Sequence, residues 1–200
     1  MRLKHYVIGN YVTNTYVIYD EVNKKCAVID PAVPHQPIND FIKKEGLELV
    51  YIILTHGHFD HTGGIDSLKA DFPDVKLVAC RNERKLLYDR KYSYGQGGIT
   101  ADIEVKEDDT IEFGDIHFRV IETPGHTPGG MCLYMPGILF SGDTLFHTSV
   151  GRTDFALGDY DALIKSIKEK LFVLPDDTKV FPGHDSETMI GYEKRYNPFV

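Results

Sequence analysis

The sequence predicts an α/β protein built as two β-sheets with helices on their outer faces. Three observations carry that reading. β-branched and aromatic runs recur in both halves of the chain, segments of helical spacing follow them in both halves, and no linker or low-complexity stretch divides the 200 residues. With 42% hydrophobic residues, a chain of this length can bury a full core.

Strands are expected at Lys4–Ile8, Thr15–Tyr19 and Cys26–Ile29, separated by Gly9-Asn10 and the polar turn Asp20-Glu21-Val22-Asn23, with Asp30-Pro31 breaking the third. Ile38, Phe41 and Ile42 share helical spacing within 37–45, and Gly46 supplies the stop. The run Val50-Tyr51-Ile52-Ile53-Leu54 reads as a buried strand over 49–54. Beyond Thr62-Gly63-Gly64, a short helix carries Ile65 and Leu68 and stops near Pro73; Val75–Ala79 is a strand and 82–89 a helix. Residues 90–101 hold three glycines and no clean period, and are expected to form a mobile, functional loop. Thr110–Phe113 and His117–Ile121 flank a hairpin turn at Gly114-Asp115; Met131–Tyr134 and Ile138–Phe140 flank another at Pro136-Gly137. The clearest amphipathic helix spans 159–172, with Leu163, Ile164, Ile167, Leu171 and Phe172 on one face. A strand at Thr178–Phe181 and a helix over 188–196 close the chain.

Lys and Arg number 22 against 30 Asp and Glu, a net charge of −8. Without a long basic run, such a chain is a poor binder of nucleic acid. Cys26, Cys80 and Cys132 are too few and too scattered for a disulfide framework or a four-thiolate zinc site. Cys26 and Cys132 sit in apolar stretches, where inert buried thiols are expected. The amino terminus lacks an apolar signal region and no window reaches membrane-spanning length, so a cytoplasmic protein without membrane contact is expected.

The chemistry concentrates in Thr55-His56-Gly57-His58-Phe59-Asp60-His61, which opens the loop after the strand at 49–54. Imidazoles and a carboxylate at this spacing suit zinc, iron or manganese rather than calcium or magnesium. A single histidine there would most simply be a surface or core residue; the cluster points to metal. Three later strands end in the same way, at Pro124-Gly125-His126, Ser141-Gly142-Asp143 and Pro182-Gly183-His184. Each is an apolar strand, a glycine permitting a sharp turn, and one metal-competent side chain. His56, His58, His61, His126 and His184 with Asp60 and Asp143 exceed the roughly four ligands one zinc takes, and fit two ions sharing a carboxylate, Asp143 or Asp60. His5 and His117 lie inside strands and read as structural; His147 reads as packing or support for a ligand.

With these segments in view the chain resembles the metallo-β-lactamase superfamily, and within it the small glyoxalase II-like hydrolases. The likeness runs from Val28-Ile29-Asp30-Pro31 through Pro182-Gly183-His184 to Asn197-Pro198-Phe199. It implies a four-layer αββα sandwich with metals at one edge, formed by a single domain over 1–200 that lacks the carboxy-terminal helical glutathione-binding domain of full-length glyoxalase II. It also implies two divalent metal ions, zinc first and iron or manganese as alternatives. His56, His58 and His126 would hold one, Asp60, His61 and His184 the other, and Asp143 would bridge them, with Asp30 supporting the metal loop. Lactam-hydrolysing relatives commonly carry cysteine where this chain has Asp143, which argues against a β-lactamase. Flavodiiron relatives have Glu at the position of His58, and nuclease relatives have basic surfaces and inserted domains.

The implied reaction is hydrolysis of a small-molecule thioester or related thiol-derived substrate by a metal-bridging hydroxide, with Asp60 and Asp143 as the catalytic carboxylates. Arg152 is the candidate contact for the carboxylate of the thiol carrier, set against a simple Arg152–Asp154 structural pair. Arg81, Arg84, Lys85, Arg90 and Lys91, near Tyr92 and Tyr94, form either an anion-attracting lid or a solvated helix face. The string Gly151-Arg152-Thr153-Asp154-Phe155 also resembles that of the persulfide dioxygenases, which would place one iron on His56, His126 and Asp143. A non-catalytic metal-binding protein is the third reading.

Overall fold

The computed structural model describes residues 1–95 and 97–200; Gln96, inside the expected loop at 90–101, lies outside the described residues. The first half runs β1 (Arg2–Ile8), β2 (Thr13–Asp20), β3 (Lys25–Ile29), α1 (Gln36–Lys44), β4 (Glu48–Ile53), α2 (Phe59–Thr62), α3 (Ile65–Asp71), β5 (Lys76–Cys80), a 3-10 turn (Arg81–Glu83), α4 (Arg84–Tyr88), α5 (Arg90–Ser93) and β6 (Ile103–Val105). The second half runs β7 (Thr110–Phe113), β8 (Ile116–Glu122), β9 (Met131–Met135), β10 (Ile138–Gly142), β11 (Leu145–Phe146), β12 (Ser149–Val150), α6 (Tyr160–Ser166), a π-helical turn (Ile167–Leu171), β13 (Lys179–Pro182), β14 (Thr188–Met189) and α7 (Ile190–Tyr196).

The strands form one sheet in the order β1-β2-β3-β4-β5-β6 and a second in the order β14-β13-β10-β9-β8-β7. Neighbouring residues along each strand point into different cores, because side chains alternate across a sheet. Val17, Val28 and Ile52 pack outward against Ile38 and Ile42 of α1 and Ile65 and Leu68 of α3. Ile18, Ile29 and Ile53, each the next residue along, face inward onto Phe118, Val120 and Phe140 of the second sheet. On the far side, Ile121, Leu139 and Val180 meet Leu163, Ile167 and Ile190 of the second helical layer. Central strands are thus covered on both faces, which is why they read as continuous apolar runs rather than alternating ones. The layers are helix, sheet, sheet, helix, as expected, and among the described residues no helix is long and apolar enough to cross a membrane.

Strand direction then decides where the donors go. β10 pairs parallel with β13, and β8 pairs antiparallel with β9, which pairs antiparallel with β10. β8, β10 and β13 therefore point the same way, and their carboxyl ends share one rim.

Several short elements depart from expectation. The metal loop contains α2, the segment at 90–101 opens with the helical turn α5, and the helix expected over 159–172 changes to π geometry at Ile167. β6, the β11–β12 hairpin and β14 are additional.

Candidate metal centre

The loops that follow β4, β8, β10 and β13 bring all seven expected donors to that rim. His56, His58 and His126, all buried, offer ring nitrogens within 4.8 Å of one another, as do donor atoms of Asp60, His61 and His184. Asp143 stands between the two groups: its Oδ2 is 3.5 Å from His126 Nε2 and 3.5 Å from His184 Nε2, and its Oδ1 is 3.5 Å from His61 Nε2. The glycines before these donors serve two purposes. Gly142 turns with φ of 49°, whereas Gly183 is required for space, since a Cβ there would run into Asp143 Oδ1.

Outer hydrogen bonds aim the rings inward. His61 Nδ1 donates to Asp30 Oδ2 at 2.9 Å, His126 Nδ1 to the Arg152 carbonyl at 2.7 Å and His184 Nδ1 to the Tyr11 carbonyl at 3.1 Å. The Thr55 hydroxyl donates to Asp30 Oδ2 at 2.6 Å, so at 3.2 Å from His56 Nδ1 it accepts the ring hydrogen. Assigned from this network, each of the four rings carries a hydrogen on Nδ1 and turns Nε2 to the centre.

The nitrogens turned inward crowd one another. His61 Nε2 and His184 Nε2 are 3.3 Å apart, His126 Nε2 is 2.9 Å from His58 Nδ1, and His56 Nε2 and Asp143 Oδ1 are buried without a hydrogen-bond partner. Converging imidazole nitrogens around a largely buried carboxylate are what a cation satisfies, and the nitrogen–oxygen donor set fits zinc or iron. No thiol takes part: Cys26, Cys80 and Cys132 are free and buried, and burial raises the pKa of each.

The electrostatics divide the two groups. Burial and the neighbouring imidazoles hold His56 and His58 well below the usual histidine range, His58 at about 3, and burial also lowers His126. For His61, burial is outweighed by Asp143 and Asp30, and its pKa stands at about 9; the Asp60 contact likewise outweighs burial and raises His184. Against burial, the hydrogen bond from His184 and the charge of His61 keep Asp60 at about 2. Metal-free, the first group is neutral and the second holds a proton that a cation displaces.

Other expected residues fall around this centre. Asp30 accepts the Thr55 N–H at 2.8 Å as well as the Thr55 hydroxyl and His61, so it fixes the start of the metal loop. The Arg152 side chain turns away onto Asp154, with bonds of 2.7 and 2.6 Å, and stacks 3.9 Å over the Phe155 ring; its backbone carbonyl is what reaches His126. His147 stacks on Tyr192, His5 bonds Asn14, and His117 is exposed beside Glu112. Arg84 pairs with Glu104, and Lys85 and Lys91 lie over the Tyr92 ring. Sequence reasoning missed Asn14 and Tyr16 of β2. Asn14 Nδ2 donates to the carbonyls of Pro182 and Asp185, and the Tyr16 hydroxyl to that of Pro182, clamping the loop that carries His184. Asn14 stands at the start of β2, where a polar residue beside a turn gives no local sign of such a role.

A cavity of about 620 Å³ opens beside Asp60, lined among others by Tyr11, Phe59, Asp66, Arg90 and Tyr94. Phe155 and Tyr94 pack beside His58, their ring centres 5.4 and 5.9 Å from that of its imidazole.

The metallo-beta-lactamase superfamily model matches residues 8–184. The chain belongs to that superfamily. It is 34% identical over 210 residues to a Haemophilus influenzae protein described as hydroxyacylglutathione hydrolase GloC, covering 100% of this chain and 98% of that one. It is 32% identical over 193 residues to the Homo sapiens mitochondrial persulfide dioxygenase ETHE1, covering 93% of this chain and 70% of the other. Among solved structures, BLEG-1, described as a B3 metallo-beta-lactamase, superposes with a TM-score of 0.90 at 34% identity, covering 99% of each chain. TTHA1623, in a di-iron-bound form, superposes with a TM-score of 0.86 at 31% identity, over 98% of this chain and all of that one. The superfamily therefore accounts for the fold and for a metal-binding cluster at this rim.

Proposed function

We propose that the chain is a metal-dependent hydrolase of small-molecule thioesters, of the glyoxalase II kind. The observation that supports it most directly is Asp143, one carboxylate within 3.5 Å of His126 in the first group and of His61 and His184 in the second. In this reading His56, His58 and His126 would hold one divalent metal, Asp60, His61 and His184 would hold a second, and Asp143 would serve both. Bound there, zinc would supply Lewis-acid polarisation of a carbonyl and a water acidified to a pKa of about 7.

The chain's own residues supply the rest. Asp60, ionised and lining the cavity, orients the attacking water and accepts a hydrogen bond from it. The cavity is of a size that takes a small ligand and holds the body of the substrate. Phe155 and Tyr94 exclude water from the first group. A thiolate leaves without a strong general acid, because a free thiol has a pKa of about 8.5. The full-length likeness to hydroxyacylglutathione hydrolase GloC supports a thiol-derived substrate, and three free cysteines fit a reducing, cytoplasmic setting.

The likeness to ETHE1 favours one second reading, a persulfide dioxygenase with a single iron on His56, His126 and Asp143. Elemental analysis of the purified protein, run beside S-lactoylglutathione hydrolysis and persulfide-dependent oxygen uptake, decides between them. Two zinc equivalents with thioester turnover are expected. One iron with oxygen uptake would replace the hydrolase by the dioxygenase. No turnover over a panel of thioesters, esters, persulfides and β-lactams would leave a non-catalytic metal-binding protein.

A further inference from the structure

A carboxylate outside the donor set joins the two loops that form the first imidazole group. Glu83 closes the 3-10 turn before α4 and is fully buried, with 0% of its surface exposed. Its Oε1 accepts the Gly57 N–H at 2.9 Å and its Oε2 the Gly129 N–H at 2.8 Å. Gly57 lies between His56 and His58, and Gly129 follows His126 by three residues in the same loop. One side chain therefore spans the gap between the loop after β4, in one sheet, and the loop after β8, in the other.

The packing leaves little freedom for this link. A Cβ at Gly129 would run into the Glu83 backbone nitrogen and Oε2, and a Cβ at Gly57 would come 2.7 Å from Leu86 Cδ2 and 2.8 Å from Leu87 Cδ2. Both glycines thus let the start of α4 seat directly against the metal loops. Burial pushes the Glu83 carboxyl up to about 7, against the opposing pull of the Gly57 and Gly129 N–H groups. A carboxylate at this depth costs folding stability, which a neutral side chain of the same volume would not. Mere cohesion of the fold is a poor reason for it.

We infer that Glu83 is a positioning residue: by holding Gly57 and Gly129 on its two oxygens, it sets the separation of His56 and His58 from His126 and so prearranges the three imidazoles for a cation. The inference rests on reading those three histidines as a metal-binding group. Glu83→Gln keeps the volume and one acceptor but turns an amide NH2 toward the other glycine N–H, so one of the two links is lost.

The test uses the full chain and its Glu83→Gln variant. Zinc affinity is read by chelator competition, the site by cobalt(II) d–d absorption, and the link itself by hydrogen exchange at the Gly57 and Gly129 amides of the metal-free protein. The variant is expected to stay folded, to bind zinc about tenfold or more weakly, to show an altered cobalt spectrum, and to exchange at least one of the two amides faster. Zinc affinity within about twofold of the parent, with an unchanged cobalt spectrum, overturns the inference and leaves the metal centre standing. A parent chain that takes up no zinc or cobalt overturns the metal-centre reading and this inference with it. Should the variant not fold, the metal-free parent decides: protected Gly57 and Gly129 amides uphold the link, and amides exchanging as freely as those of exposed loops refute it.

Discussion

Asp30 Oδ2 accepts the Nδ1 hydrogen of His61 at 2.9 Å, both groups buried, and this bond determines which nitrogen of His61 faces the centre. Asp30 leaves β3 with φ of 50°, a left-handed geometry that aspartate tolerates better than most residues. From there its two oxygens also take the N–H and the hydroxyl of Thr55. Asp30→Asn replaces one acceptor by a donor that has nowhere to point. Zinc affinity measured by chelator competition should fall about ten- to a hundredfold, with a lower melting temperature. Wild-type affinity in the variant would mean that the ring is held by something else.

Asp143→Ala removes the carboxylate that lies within 3.5 Å of imidazoles in both sets. Metal content after exhaustive dialysis should fall from about two equivalents to one or fewer, and thioester turnover should be lost. Full activity in this variant would refute the bridging role.

Acid should unfold the metal-free protein in part through His58. Its folded pKa of about 3, set by burial and by His126, lies below the ordinary histidine value of 6.5. The unfolded chain therefore binds more protons between those limits, so this contribution to stability is present above about 6.5 and is lost as pH falls toward about 3. In chelator-treated protein, denaturant unfolding followed across that range should show a pH slope steeper in wild type than in His58→Gln by up to about 1.4 kcal/mol per pH unit. Equal slopes would contradict it.

Arg152→Gln should leave KM for a carboxylate-bearing thioester within about twofold of wild type, since the guanidinium forks onto Asp154 and lies over Phe155. A large rise in KM at unchanged kcat would instead show that the arginine releases Asp154 to grip substrate.

What could be read from the chain beforehand was whatever is local. The spacing from His56 to His61 and the repeated strand, glycine and donor at His126, Asp143 and His184 carry their chemistry within a few residues, and the structure brings them together. Apolar runs marked the central strands because both of their faces are covered. Partners contributed by the backbone left no trace in composition: nothing in the sequence points to the Tyr11 and Arg152 carbonyls that orient His184 and His126. Elements of two to four residues, such as α2 and the β11–β12 hairpin, are too short to show a period. The sequence does not decide between substrate and Asp154 as the partner of Arg152, because a charge two positions away is compatible with either.

The sheets that meet at this rim draw on different halves of the chain, β1 to β6 in one and β7 to β10 with β13 and β14 in the other. A cut at the connection between Val105 and Thr110 would leave His56, His58, Asp60 and His61 on one fragment and His126, Asp143 and His184 on its complement. Neither fragment alone carries both halves of a coordination sphere. Zinc should therefore promote reassembly of the severed pieces, the ion serving as the seam through which each recognises the other.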